Sequence, residues 1–416
     1  MKIRFVSILI IFLSITFCTP PCPAEQLSSY TEESKDFLSA YRDGDFASAY
    51  EYADSFVQKT LNSNKDKQNK YIALLERGKV ALAAGKYDEC IADLQEAEKR
   101  FLSIEGTISL TEGFGSILSD DTTREYEAEM HEKIMISPYL ALAYLGKNDF
   151  AGAVVERNRT ITKINQYIEE KPEERAYLEN PFARLLCAIM YEMENRGDDA
   201  IIEYKKMNRA DEAALVSVKK EKTTDLVILI DTGLAPHKYQ VKWGPMPVMS
   251  NGKAVSLGFA YASFEPTESE VSSLEITLDD KPAGTAILLY DLEKTVLTQY
   301  EKDKPAIIAK LVARFTSKAS LQVGAHAVAD KLEKDNPLAS MLFRVAATIA
   351  GATWIAVEQA DLRGWLTLPK NIHYLRLNGL TPGEHTVTID YGSGTREKKI
   401  QLQKDKIGIA YFSIAQ

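Results

Sequence analysis

The sequence predicts two architectures in one chain: an α-helical superhelix of stacked hairpins in the N-terminal half, then an α+β module ending in a small antiparallel β-sheet or sandwich. Three observations point there. Between residues 74 and 97 small and apolar residues recur at the spacing of one helical hairpin. Gly78 falls where two helices touch, Gly85 and Tyr87 lie at the turn, and Cys90, Leu94 and Ala97 line one face of the second helix. From Ser28 to about Ala214 apolar residues keep returning at three- and four-residue intervals, the period of a helix with one buried face. Beyond Ala214 that period stops. Asp225-Leu-Val-Ile-Leu-Ile-Asp231 is an apolar run too short for a helix and reads as a buried strand.

Taken in order, residues 1–24 have the three parts of a secretory leader: Lys2 and Arg4, an apolar run from Phe5 to Phe17, and Cys-Pro-Ala ending at Ala24. The mature chain would begin near Glu25 and be periplasmic or secreted. An outer-membrane lipoprotein is the lesser alternative, because Phe17 and Pro21 stand before Cys18 and Cys22 where lipidation wants a small residue.

Residues 25–214 align as four hairpins. Gly44, Phe46 and Ala49 mark the first, and Gly85, Tyr87 and Cys90 the second. Ala141, Tyr144, Phe150 and Ala153 mark the third; Ala188, Tyr191, Ala200 and Tyr204 mark the fourth. Small residues let backbones approach, and aromatic rings fill the gaps between hairpins. Residues 104–124, with Gly106, Gly113 and Gly115, read as a loop crossing one face.

The module over 215–416 opens with a charged linker around Lys219–Lys222. Strands are expected at 225–231, at 254–263 after an Asn251-Gly252 turn, at 273–278 and at 284–290. Residues 304–334 return to a helical period, and Pro337 opens a second helix to about Gln359. The tail from Asp361 reads as strands at 384–391, 396–402 and 407–415.

The hairpin positions resemble the tetratricopeptide repeat family, over residues 28–214 and best at 74–97. The resemblance implies a superhelix with a concave peptide-binding face. The spacing from one hairpin to the next is longer and less even than the family period of ~34 residues. Taken whole, the chain resembles a group of bacterial envelope proteins that pair such a half with a tail bearing Asp-x-Arg-x-Trp, Leu-Pro and Pro-Gly-x-His. The residues concerned are Asn180-Pro181-Phe182, Gly233 to Lys238, Asp361, Arg363, Trp365, Leu368-Pro369, Arg376 and Pro382 to His385. That likeness implies a periplasmic or outer-membrane-associated protein and carries no chemistry with it.

Composition narrows the function. With 416 residues, 45% hydrophobic and 26% charged, the chain can build large cores, and a net charge of −9 opposes a nucleic-acid surface. Cys90 and Cys187 are the cysteines left after the leader, and both fall on apolar helical positions, so two separately buried thiols are expected rather than a bridge. The histidines at 131, 237, 326, 373 and 385 are scattered. His131-Glu132 starts a zinc-protease string, but Met135 stands where the second ligand belongs, and Glu127 with His131 reads as an ordinary surface pair. No serine elbow, phosphate loop or dinucleotide fingerprint is present. The sequence therefore implies no catalytic residue, no metal site and no cofactor.

Two segments stand out. Asp361, Arg363 and Trp365, with His385 further along, form a candidate tail cluster: an ion pair beside an exposed ring would suit a glycan or peptide. The plainer account has Trp365 plugging the sheet and Arg363 tying a helix end to the strands. Leu338–Val357 has the length of a membrane span but contains Arg344, which favours a buried helix. The expected function is a non-enzymatic exported envelope scaffold that supports envelope assembly. It would bind a protein partner on the concave face near Leu74–Ala81 and Ser137–Tyr144, with peripheral membrane attachment and the oligomeric state left open. Alternatives are an enzyme acting on cell-wall glycans or peptides, or a protein inserting Leu338–Val357 into a membrane.

Overall fold

A computed structural model describes residues 29–64, 66–108, 125–218, 223–250, 253–271, 273–311, 313 and 360–416. The expected leader, the 109–124 part of the expected loop, the expected turn at Asn251-Gly252 and the segment Leu338–Val357 lie outside the described residues. The fold class read from the sequence is the one observed: paired helices, then a mixed region of helix and sheet.

Among the described residues the helices form four antiparallel hairpins. These are α1 (Ser29–Asp43) with α2 (Phe46–Asn62), α3 (Lys70–Ala83) with α4 (Tyr87–Ile108), α5 (Met130–Gly146) with α6 (Phe150–Glu170), and α8 (Pro181–Met193) with α9 (Gly197–Lys206). The short α7 (Arg175–Leu178) precedes the last hairpin, and α10 (Ala210–Val218) packs on α9. Each hairpin turns through a residue in the left-handed region: Gly44, Gly85, Asn148 and Asn195, with φ of 73°, 73°, 59° and 60°. The amide after each of these returns to the carbonyl five residues earlier, as Lys86 N does to Ala81 O at 2.8 Å and Asp149 N to Tyr144 O at 2.9 Å. This is the Schellman closure, which satisfies carbonyls the helix end would leave bare. Asn serves where Gly does because its short side chain tolerates that conformation.

The next helix is then capped by side chains. Asp45 accepts from Ser48 N, Asp149 from Gly152 N, and Asn180 from Ala183 N with Pro181 in the first turn. The helix α4 runs to Ile108, so residues 104–108, expected to be loop, are helical; a single glycine, Gly106, costs a helix about 1 kcal/mol and does not end it.

The strands are β1 (Asp225–Thr232), β2 (His237–Ser250), β3 (Lys253–Glu265), β4 (Glu275–Leu278), β5 (Lys281–Thr285), β6 (Ile287–Asp291), β7 (Asn371–Leu377), β8 (Gly383–Asp390), β9 (Thr395–Leu402) and β10 (Ile407–Ile414). They form one sheet in the order β10-β1-β7-β6, a second in the order β5-β4-β8-β9, and the pair β2-β3. Residues 240–262 of that pair belong to a separate compact unit; everything below concerns the other, which holds 27–239, 263–314 and 361–416.

The strand expected at 284–290 is two strands in two sheets, because the chain changes sheets at Ala286. The helix expected from 304 already runs over 292–311, with Asp291 accepting from Lys294 N at its start. The tail is not one antiparallel sheet: β8 and β9 pair antiparallel, whereas β10 runs parallel to β1.

Strand β1 explains the layering. All eight of its residues are buried. Successive side chains point to opposite faces, so Val227 and Leu229 join the core shared with the helices, while Leu226, Ile228 and Ile230 join a second core with Val387, Ile389 and Leu402 of the other sheet. The order of layers is therefore helices, sheet, sheet. An unbroken apolar strand is what a sheet covered on both faces requires.

Candidate functional site

The inner helices α3 and α5 are buried almost all round, from Ile72 to Glu76 and Gly78 to Leu82 on one and from His131 to Ala143 on the other. What covers them is the chain's own β-module. The concave face expected near Leu74–Ala81 and Ser137–Tyr144 is therefore not an open groove, and this corrects the expectation that a partner docks there. The physical reason is compositional: a helix with apolar residues on every side has to be covered on every side.

The cover is fastened at three places. At the first, the irregular segment from Asp361 to Leu368 lies against α3 and α5. Glu76, wholly buried on α3, accepts from Leu366 N at 2.6 Å, Thr367 N at 3.0 Å and Thr367 Oγ1 at 2.6 Å, and shares a hydrogen bond of 2.5 Å with Tyr30 Oη. Glu132, on α5, accepts from Trp365 N at 2.6 Å, from Glu129 N at 2.7 Å and from Tyr126 Oη at 2.5 Å. Three consecutive backbone amides are thus held by two carboxylates. The Trp365 indole, 2% exposed, donates to Thr367 Oγ1 at 3.1 Å and meets the Tyr139 ring edge-on at 6.0 Å. Arg363 binds Asp361 through two nitrogens at 2.9 and 2.6 Å, and reaches Gln68 O at 3.1 Å and Asn69 Oδ1 at 3.2 Å.

At the second place, Lys79 of α3 is wholly buried against Asp231 of β1, with Nζ and Oδ2 2.9 Å apart. Asp231 Oδ2 also accepts from Tyr139 and Tyr411, each at 2.8 Å, and Lys79 Nζ donates to Tyr41 and Tyr411 at 3.0 and 2.7 Å. At the third, Arg376 of β7 joins Glu192 of α8 at 2.7 Å to Asp225 of β1 at 2.9 Å.

Burial shapes the electrostatics. It pushes the Glu76 carboxyl up to about 7, against the pull of the hydroxyl and amide donors on it. Burial works against the Lys79 charge, but Tyr41 and Asp231 outweigh it and the net direction is upward. Burial, with Glu132 adding to it, lifts the Tyr126 phenol well above its ordinary value.

The tail cluster expected from the sequence is split. Asp361, Arg363 and Trp365 come together, facing inward, so Trp365 offers no exposed ring. His385 sits elsewhere, on β8, with Asp279 at 2.7 Å and Thr381 O at 2.8 Å. Of the hairpin positions, Gly78 lies so close to α4 that a Cβ there would be 2.8 Å from Leu94 Cδ2. Tyr87 packs its ring over Gly146 of the next hairpin, and Tyr144 packs over Gly152. Cys90, Ala97, Ala141, Ala153, Ala188, Ala200 and Tyr204 are buried, Phe150 opens α6, and Tyr191 lies 4.0 Å beneath the Arg157 guanidinium. Cys90 and Cys187 are free, buried thiols. Glu127 and His131 are not a surface pair: Glu127 binds Lys133, while His131 is buried beside Tyr177.

A crevice lined by Glu129, His131, Lys238, Phe264 and Trp365 has room for about one water molecule. Among the described residues, no group of three or more His, Cys, Asp or Glu is placed to hold a metal, and no helix is long and apolar enough to cross a membrane. Compared with family models, curated proteins and solved structures, the chain matches none.

Glu76 and Lys79 did not stand out in the sequence, and Glu132 and Asp231 figure there only in a failed zinc string and at the end of an expected strand. The available signal was their position: charged residues set among apolar ones on helices and a strand with no polar face.

Proposed function

We propose that this chain is a non-enzymatic, exported scaffold of the cell envelope that meets a protein partner with the outer surface of its helical repeats. The observation that supports it is the division of labour between the helices of each hairpin. The first helices spend their buried carboxylates and lysine on the chain's own β-module. Among the described residues, the exposed large apolar side chains of the helical region lie on the second helices: Tyr52 and Leu61 on α2, Leu102 on α4, Val155 on α6 and Ile202 on α9. Side chains that do no packing are the ones free to serve recognition in repeat proteins.

Site-specific photo-crosslinking tests this. A photoreactive residue at Tyr52, Val155 or Ile202 should give discrete protein adducts in intact cells, and one at Lys399 on the outer sheet should give none. Adducts from the sheet position with none from the three helical positions would refute the reading.

A further inference from the structure

The hydrogen bonds around Glu76 leave one proton claimed twice. Tyr30 Oη lies 2.5 Å from Glu76 Oε1 and 2.7 Å from the Gly364 carbonyl oxygen. A phenol has one proton, and a carbonyl oxygen only accepts. Both contacts are full, two-centre hydrogen bonds at once only when the Glu76 carboxyl is itself protonated. It then donates to Tyr30, which donates to Gly364. With Glu76 ionised, Tyr30 gives its proton to the carboxylate and the Gly364 carbonyl loses that donor. We propose that Glu76 and Tyr30 form a proton-operated latch, in which Tyr30 ties the Gly364 carbonyl to α1 when Glu76 is protonated and lets it go when Glu76 is ionised, the bonds from Leu366 and Thr367 to Glu76 being kept in both states.

The surroundings favour the neutral carboxyl. On α3 itself, Arg77 is engaged by Asp93 and Asp54, and Lys79 by Asp231. From α5 comes Glu132, whose charge is felt at Tyr30, and Tyr126 is bonded to that same carboxylate. The segment presents Arg363, bound to Asp361, and the neutral Thr367 and Trp365. On the far side of Glu132, Lys238 is paired with Glu129. Burial accordingly raises the Glu76 carboxyl to about 7. A raised carboxyl favours the folded, latched state below the ordinary glutamate value, and that contribution is lost as pH rises through about 7.

The test is amide exchange of Leu366 and Thr367 in the full chain at pH 5.5 and 8.5, corrected for intrinsic exchange. Opening should be roughly thirtyfold more frequent at the higher pH, as a shift from an ordinary glutamate value to about 7 dictates. Glu76→Gln cannot ionise, although its amide nitrogen cannot accept from Leu366 N as the carboxyl oxygen does, and should remove that dependence together with the infrared band of a buried carboxylic acid. Burial also raises Glu156 to about 7, so Glu156→Gln is the matched control and should keep the dependence. A wild-type chain with flat protection, or a Glu76→Gln chain that keeps the dependence, would overturn the latch. If Glu76→Gln does not fold, Tyr30→Phe decides: it keeps the carboxyl and breaks the relay, so protection at pH 5.5 should fall. Unchanged protection there would overturn the proposal.

Discussion

Replacing Lys79 with methionine should cost this protein about 3–5 kcal/mol, the usual penalty for stripping one partner from a buried ion pair. The magnitude follows from the geometry. Lys79 and Asp231 are 0% and 2% exposed and 2.9 Å apart, so Lys79→Met leaves the Asp231 carboxylate away from water with only hydroxyl partners. It also removes the cation held 4.7 Å from the Tyr139 ring centre, worth about 0.5–2 kcal/mol. Asp231→Asn added to Lys79→Met removes the stranded charge, and the amide oxygen still accepts from Tyr139 and Tyr411. The double variant should therefore regain stability over Lys79→Met, with a coupling energy of about 2–3 kcal/mol within the range seen for contacting residues. Urea unfolding followed by circular dichroism measures each corner of the cycle. A Lys79→Met cost below about 1 kcal/mol, or additive single costs, would show that the pair is not desolvated as described.

Other outcomes follow from the same packing and charge. Gly78→Ala places a methyl 2.8 Å from Leu94 Cδ2, so thermal unfolding should reveal a loss of about 1–3 kcal/mol from overpacking, and Leu94→Ala in the same chain should relieve the clash. Both ring nitrogens of His385 face acceptors, Asp279 Oδ2 and the Thr381 carbonyl, so the ring is held as an imidazolium and its value is raised, by the Thr381 carbonyl first and Asp279 after it. This bond's contribution should be complete below the ordinary histidine value of about 6.5 and fade as pH rises through the raised one. An NMR titration placing His385 below that ordinary value would contradict the assignment.

The hairpins were legible in the sequence because their turns and contacts use residues with no substitute. Gly44 and Gly85 mark the first two turns and Gly78 the close approach, whereas the third and fourth hairpins show in small and aromatic positions and their turn residues, Asn148 and Asn195, did not stand out. The fate of the inner face was not read, although its signs were present. Around α3 the apolar Ile72, Ala73, Leu74, Leu75, Val80, Ala81 and Leu82 fall on every side of the helix, and β1 has no alternation. Each says that two layers cover it, and together they place the sheet on the helices. The pairing of Glu76 with residues 290 positions away is of another kind. A glutamate on a helix looks the same in sequence whether it is solvated or holding a distant backbone, and only tertiary placement separates the two. The parallel pairing of β10 with β1 is equally hidden, since strand propensity says nothing of direction.

That parallel pairing orders events during biogenesis. Asp231 and Tyr411 stand 180 positions apart along the chain yet share a hydrogen bond, and contacts so far separated are slow to form because a long loop must close first. Until Ile407–Ile414 arrives, β1 has an open edge and the Lys79–Asp231 pair lacks Tyr411. A chain stopped just before Ile407 should keep its helical circular dichroism while binding a hydrophobic dye; failure to bind it would show that the repeats close without their final strand. Residues 407–414 thus finish a sheet edge and a buried ion pair that every earlier part of the chain leaves incomplete.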